Sequence, residues 1–213
     1  GGVLGDSGTD NLRDWVSKGG VLIALGSANR YLADANIDLL SIRRENAVVE
    51  KDEDDSGDDA DSDEDLDATV DGRVLESIDD YNTAITPQSD PPDYLYGVLV
   101  RADVTAEHWL GAGVAASLNV LAGGSDIYTP IRLDSGVNVA RFAAADELLP
   151  SGYIWEENRK QLAYKPFAVV QPLGRGYIVA FTQDPTTRAY LDGLKVILAN
   201  AIFRGAAHAR PLH

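Results

Sequence analysis

Gly19-Gly20-Val21-Leu22-Ile23-Ala24-Leu25-Gly26-Ser27-Ala28 is the stretch whose reading decides the fold. Five apolar residues between glycines form a short continuous run, as expected of a strand buried on both faces of a parallel sheet. Gly26-Ser27-Ala28 makes a tight turn, and a helix is expected to begin at Asn29 and run to Asp34. Upstream, Leu12, Trp15 and Val16 fall at i, i+3 and i+4, behind the capping types Asp6, Ser7, Thr9 and Asp10. Gly19-Gly20 stops that helix. A strand with helices on both sides argues for an α/β domain with a partial doubly wound sheet. Because the chain opens on a helix, the latter part of such a fold is expected, its earlier strands missing. The chain also contains no Met, which suggests a processed or excised segment of a longer protein.

Beyond this unit the pattern turns mostly to strands. Gly97–Asp103, Leu118–Leu121 and Val137–Phe142 read as short strands, with a turn and short helix near His108-Trp109-Leu110-Gly111. Phe167–Gln171 and Tyr177–Thr182 flank Pro172-Leu173-Gly174-Arg175-Gly176, a strong hairpin signal. A closing helix is expected from about Thr187 to Phe203, with Leu191, Leu194, Leu198, Ala201 and Ile202 as its apolar stripe and the Lys195 stem lying along it. Gly205 ends it. The whole reads as one domain over residues 1–213, an α/β sheet with added β-hairpins.

The formal net charge of -16 is mostly local. Between Glu50 and Asp71 stand 13 acidic residues and one Lys, and the remainder of the chain nets only -4. Residues 51–65 hold Ala60 as their sole apolar residue, so this insertion cannot offset its ordering entropy and is expected to be a flexible, disordered acidic loop. A second loop is expected at Pro87–Pro92. Such a charge repels phosphate backbones, which argues against nucleic acid as a partner. No apolar run approaches the length of a membrane span. With no Cys, disulfides, thiolate metal sites and cysteine nucleophiles are excluded.

Few residues can carry chemistry. Ser27 stands where a nucleophile elbow would lift a side chain above the sheet, but Asn29 occupies the place of the second Gly of G-x-S-x-G. Its base could only be His108, His208 or His213, the last two in the C-terminal tail. The alternative is that Ser27 is a helix N-cap. No zinc ligand set accompanies His108. Asp58, Asp59, Asp61, Asp63 and Asp65 offer oxygen ligands to calcium, yet Leu66 and Gly72 stand where an EF-hand loop needs Gly and Glu, so counterion condensation is the better reading. Gly174-Arg175-Gly176 reads as a turn rather than a phosphate cradle. Asp184 reads as the N-cap of the last helix with Pro185 at its first position, and Arg188 as a salt-bridge partner or a carboxylate-binding group. Trp109, Tyr153 and Trp155 could line a carbohydrate or peptide groove, or anchor the core.

Taken in order, these stretches resemble a known family. Trp15-Val16-x-x-Gly19-Gly20-Val21-Leu22-Ile23-Ala24-Leu25-Gly26-Ser27-Ala28 looks like the class I glutamine amidotransferase-like fold, flavodoxin-like in its winding. Gly97–Asp103, His108-Trp109-Leu110, Ser151–Trp155, Leu173–Arg188 and Leu198–Ala201 extend the resemblance to the C-terminal domain appended to certain bacterial carboxypeptidase A-like zinc metallopeptidases. The resemblance implies a parent that trims peptides from their C-termini with a zinc cofactor held in a separate N-terminal domain, in a periplasmic or secreted setting. None of those zinc ligands maps onto this chain. Ser27 stands at the amidotransferase Cys position, so glutaminase activity is not expected. The leading expectation is therefore a non-catalytic accessory domain with no catalytic, cofactor or metal residues of its own, packed against the parent peptidase domain or forming a homo-oligomer. Two alternatives are a serine hydrolase using Ser27 with His108, and a carbohydrate-binding or trimer-forming module.

Overall fold

The apolar run at 21–25 forms a strand, and its partner in the sheet is the C-terminal hairpin. In the computed structural model the described residues are 4–48, 77–78, 91–189 and 191–209. The acidic segment 50–71 with its calcium candidates, residues 87–90 and His213 lie outside them. Helix α1 (Gly5–Ser17), strand β1 (Val21–Leu25) and the short α2 (Ala28–Leu32) form the N-terminal unit. Then follow β2 (Leu95–Val104), a 3-10 turn at Trp109–Gly111, β3 (Ser117–Gly124) and β4 (Val137–Phe142). Helix α3 (Glu156–Leu162), β5 (Pro166–Leu173), β6 (Gly176–Phe181) and α4 (Asp192–His208) complete the chain.

Among the described residues six strands make one sheet in the order β1-β6-β5-β4-β2-β3. The α/β class with added hairpins stands; the difference lies in strand direction. Only β1 and β6 run parallel, Val21 opposite Tyr177 and Leu25 opposite Phe181, and the remaining pairs are antiparallel. β1 is thus an edge strand, half-buried over most of its length. Its apolar run is explained by two covered faces. Leu22 and Ala24 join Val16 of α1, Ile178 and Ala180 in one core, while Val21, Ile23 and Leu25 join Val179, Phe181 and residues of α4 in the other. At the far end β2 alternates buried and half-buried residues, the mark of an antiparallel strand packed on one face.

The hairpin closes on the two residues Gly174 and Arg175, with Gly174 at φ +61°, a conformation in which Gly has no Cβ penalty. The α1–β1 connection lies directly over it. Arg175 donates its backbone N–H to Ser17 O (2.9 Å), and Tyr177 donates to Gly20 O (3.1 Å).

Helix α4 differs from its expected form. Pro185 follows Asp184, but Asp184 caps only a local turn, its Oδ1 accepting from the Thr186 N–H at 2.7 Å. The next 3-10 turn, Thr187–Ala189, is broken by Arg188 at φ +49°, so the long helix starts at Asp192. Its inward face is Leu194, Ile197, Ala201 and Gly205; Ile202 is exposed and Lys195 pairs with Asp192. The helix fills the space between β1 and β3, the two edges of the sheet. Among the described residues no helix is long and apolar enough to cross a membrane.

Candidate functional site

The turn after β1 lies beside the end of β6, and a single residue ties them together. Asn29, which with Leu25 breaks the G-x-S-x-G pattern, is fully buried; its Nδ2 donates to Phe181 O (2.7 Å) and Gly26 O (3.0 Å). Gly26 also donates to Phe181 O at 2.8 Å. Gly26 takes φ +51°, whereas Ser27 sits at φ -64°, ψ -14°, an unstrained right-handed conformation. A nucleophile elbow strains the nucleophile itself; here the unusual geometry belongs to the glycine. Ser27 occupies the N-cap position of α2 but makes no capping hydrogen bond, so its exposed hydroxyl is not committed to the helix.

That hydroxyl faces an open cleft of about 510 Å³, formed by Gly26, Ser27 and Arg30 on one side and Tyr94–Gly97, Gly123, Gly124 and Asp126 on the other, with Thr182–Asp184 as its floor. The cleft thus lies at the carboxyl ends of the two parallel strands, where open α/β sheets hold their ligands. A β-bulge builds its far wall. The β2–β3 register passes from Leu95 opposite Gly124 to Val98 opposite Ala122, so Tyr96 and Gly97 together oppose Gly123. Such a bulge bends the strand and re-aims a side chain, and Gly97 at φ +95° accommodates it. The Gly123 N–H is taken up by Oε1 of the buried Gln183 at 3.0 Å, which links the end of β6 to β3 across the curled sheet.

Tyr94 stands one residue before β2 and Tyr96 is the second residue of that strand. Their rings stand 5.0 Å apart at 59°, and they are 56% and 90% exposed. In the same lining Asp126 is held by two guanidinium groups, Arg30 through Oδ2 and Arg44 through Oδ1 (3.5 Å). The hydrogen bond to Asp126 and its charge raise the Arg30 pKa, so Arg30 stays a cation. Behind the pair Tyr128 is buried, its hydroxyl without a hydrogen-bond partner; burial, followed by the Asp126 charge, pushes its pKa well up and keeps it neutral. The Thr182 hydroxyl is committed to Pro166 O.

The histidines lie elsewhere. His108 caps the 3-10 turn, its Nδ1 accepting the Leu110 N–H at 3.2 Å. Trp109 stacks on His208 with centroids 4.9 Å apart at 17° and packs edge-on to Tyr177, the partner of Val21. This cluster sits at the start of β1, whereas Ser27 follows its end, so the length of a five-residue strand, roughly 16 Å, separates Ser27 from His108. Tyr153 (70% exposed) and Trp155 (51%) pair edge-to-face on the surface rather than anchoring the core; Trp109 is the half-buried member of that set. Among the described residues no group of three or more His, Asp or Glu could hold a metal ion.

Desolvation, then the His208 charge, lowers the His108 pKa. The unfolded chain therefore takes up this proton first, and stability is lost as the pH falls below 6.5 and on through the lower folded value. His108→Asn keeps a capping acceptor and removes the titration. Urea midpoints from pH 7.5 to 5 should fall less steeply in that variant than in the parent chain. Parallel slopes would show that His108 titrates normally.

No family model and no curated protein matches this chain. Among solved structures it is similar to Cytoplasmic Protein STM3548 from Salmonella typhimurium, with a TM-score of 0.46 and 12% identity over 92% of this chain and 58% of that one. It is also similar to Cytoplasmic Protein STM1381 from Salmonella typhimurium LT2, with a TM-score of 0.39 and 13% identity over 94% of this chain and 58% of that one. The chain thus spans well under two thirds of either structure.

Proposed function

We propose that this chain is a non-catalytic accessory domain that acts by binding a small ligand in the cleft beyond β1 and β6. The carrying observation is the cleft's chemistry: exposed tyrosine rings, glycine backbone and a guanidinium–carboxylate pair already joined to each other. These groups hold a ligand well and move protons poorly, since a general base must reach the proton it takes. The resemblance extends this reading to a parent zinc carboxypeptidase, with this domain beside the peptidase domain. A gene whose upstream reading frame encodes that domain would support the extension.

A second reading keeps Ser27 as a nucleophile, favoured by its exposed hydroxyl in the cleft. A fluorophosphonate probe separates the two. The accessory reading expects no label on Ser27, and no turnover of ester, amide or peptide substrates above a Ser27→Ala control. Stoichiometric labelling of Ser27 would overturn it.

A further inference from the structure

We infer that the cleft takes a neutral, polyhydroxylated ring of the pyranose type, stacked on Tyr96; this rests on the binding reading above. Three observations converge. The first is the aromatic wall. A solvent-exposed tyrosine gives a ligand a flat apolar face of negative quadrupole, which suits the polarised C–H groups on one side of a sugar ring. The bulge at Tyr96-Gly97 turns that ring outward, and Tyr94 stands tilted beside it as a second wall.

The second is charge. Arg30 and Arg44 together balance Asp126 and Asp184, so the cleft offers no net positive charge. An anionic ligand would find no net attraction there and would have to displace Asp126 from its two guanidinium groups.

The third is the balance of donors and acceptors. Asp126 accepts a hydrogen bond from Arg30 on Oδ2 and pairs with Arg44 through Oδ1 as an ion pair, and a carboxylate has about four lone-pair sites, so acceptor capacity remains. Among the described residues the Asp184 carboxylate is bonded only through Oδ1. The Ser27 hydroxyl can donate or accept. Vicinal hydroxyl groups, each both donor and acceptor, use such a mixture in full. A cation, the other ligand attracted to tyrosine faces, would use only the acceptors. The volume of about 510 Å³ lies within the range of small-molecule sites.

The test is calorimetric titration of the 213-residue chain with glucose, galactose, mannose, N-acetylglucosamine and their β-linked disaccharides, beside glucuronate, inorganic phosphate and choline. We expect at least one neutral saccharide to bind with a Kd in the millimolar range or tighter. Tyr96→Ala should weaken it by about tenfold or more, while Tyr96→Phe, which keeps the stacking face, should change it by less than about threefold. Circular dichroism on both variants guards against misfolding. Binding of choline, phosphate or glucuronate in preference to every neutral saccharide overturns the sugar assignment but leaves a binding cleft. No binding by any member of the panel overturns the sugar assignment too, whereas the non-catalytic reading is overturned by labelling of Ser27 or by turnover above the Ser27→Ala control.

Discussion

Gly176→Ala is expected to lower the melting temperature by roughly 6–12 °C. The reason is purely steric, since Gly176 is not in the left-handed region and Ala can adopt its backbone conformation. A Cβ there would lie well inside van der Waals contact of the carbonyl oxygens of Gly20 and Val16. Both are backbone atoms, so no rotamer change can relieve the overlap. Relief requires lifting the α1–β1 connection off the hairpin, which breaks the Tyr177 N–H to Gly20 O bond and loosens Val16 from its core. Overpacking of this kind costs about 3 kcal/mol. Thermal scans of the two proteins measure it, and a shift within about 1 °C would mean that the connection yields freely.

Phe167→Ala should cost about 3–5 kcal/mol, because the ring is fully buried at the centre of the larger core. It stands between Phe142 (6.1 Å between centroids) and Phe181 (5.8 Å), both tilted against it. Removing it leaves a cavity lined by two rings held on paired strands, which cannot collapse inward. Phe167→Leu, which fills most of the space, should cost clearly less. Urea unfolding with unchanged m-values resolves the two. Equal losses for Ala and Leu would indicate that the site repacks instead of leaving a void.

Local signals wrote most of the strands and little of their arrangement. The glycines at 174 and 176 set the hairpin because they act within a few residues of themselves, whereas the capping types Asp6, Ser7, Thr9 and Asp10 fall inside α1, whose N-cap position is Leu4 with no side-chain cap. That β1 is an edge strand is settled by pairing with residues 177–181, a contact that no window along the chain contains. The cleft escaped for the same reason, being assembled from segments near residues 26, 95, 124 and 183. Its aromatic wall did leave a trace. Tyr94-Leu95-Tyr96-Gly97 alternates aromatic and other residues in the period of a strand, and the buried Leu95 stands between the two exposed tyrosines. Ser27 was drawn to notice by its strand–turn–helix setting, and that setting is real; its partner His108 is at the other end of the strand.

The pairing of Val21 with Tyr177 joins positions 156 residues apart. On the ribosome, at about 5–20 residues per second, β1 emerges and then waits roughly ten to thirty seconds for the strand that receives it. Through that interval its apolar run must stay soluble without a sheet to join, and a nascent chain arrested before Phe181 should remain as open to protease at residues 17–26 as an unfolded peptide.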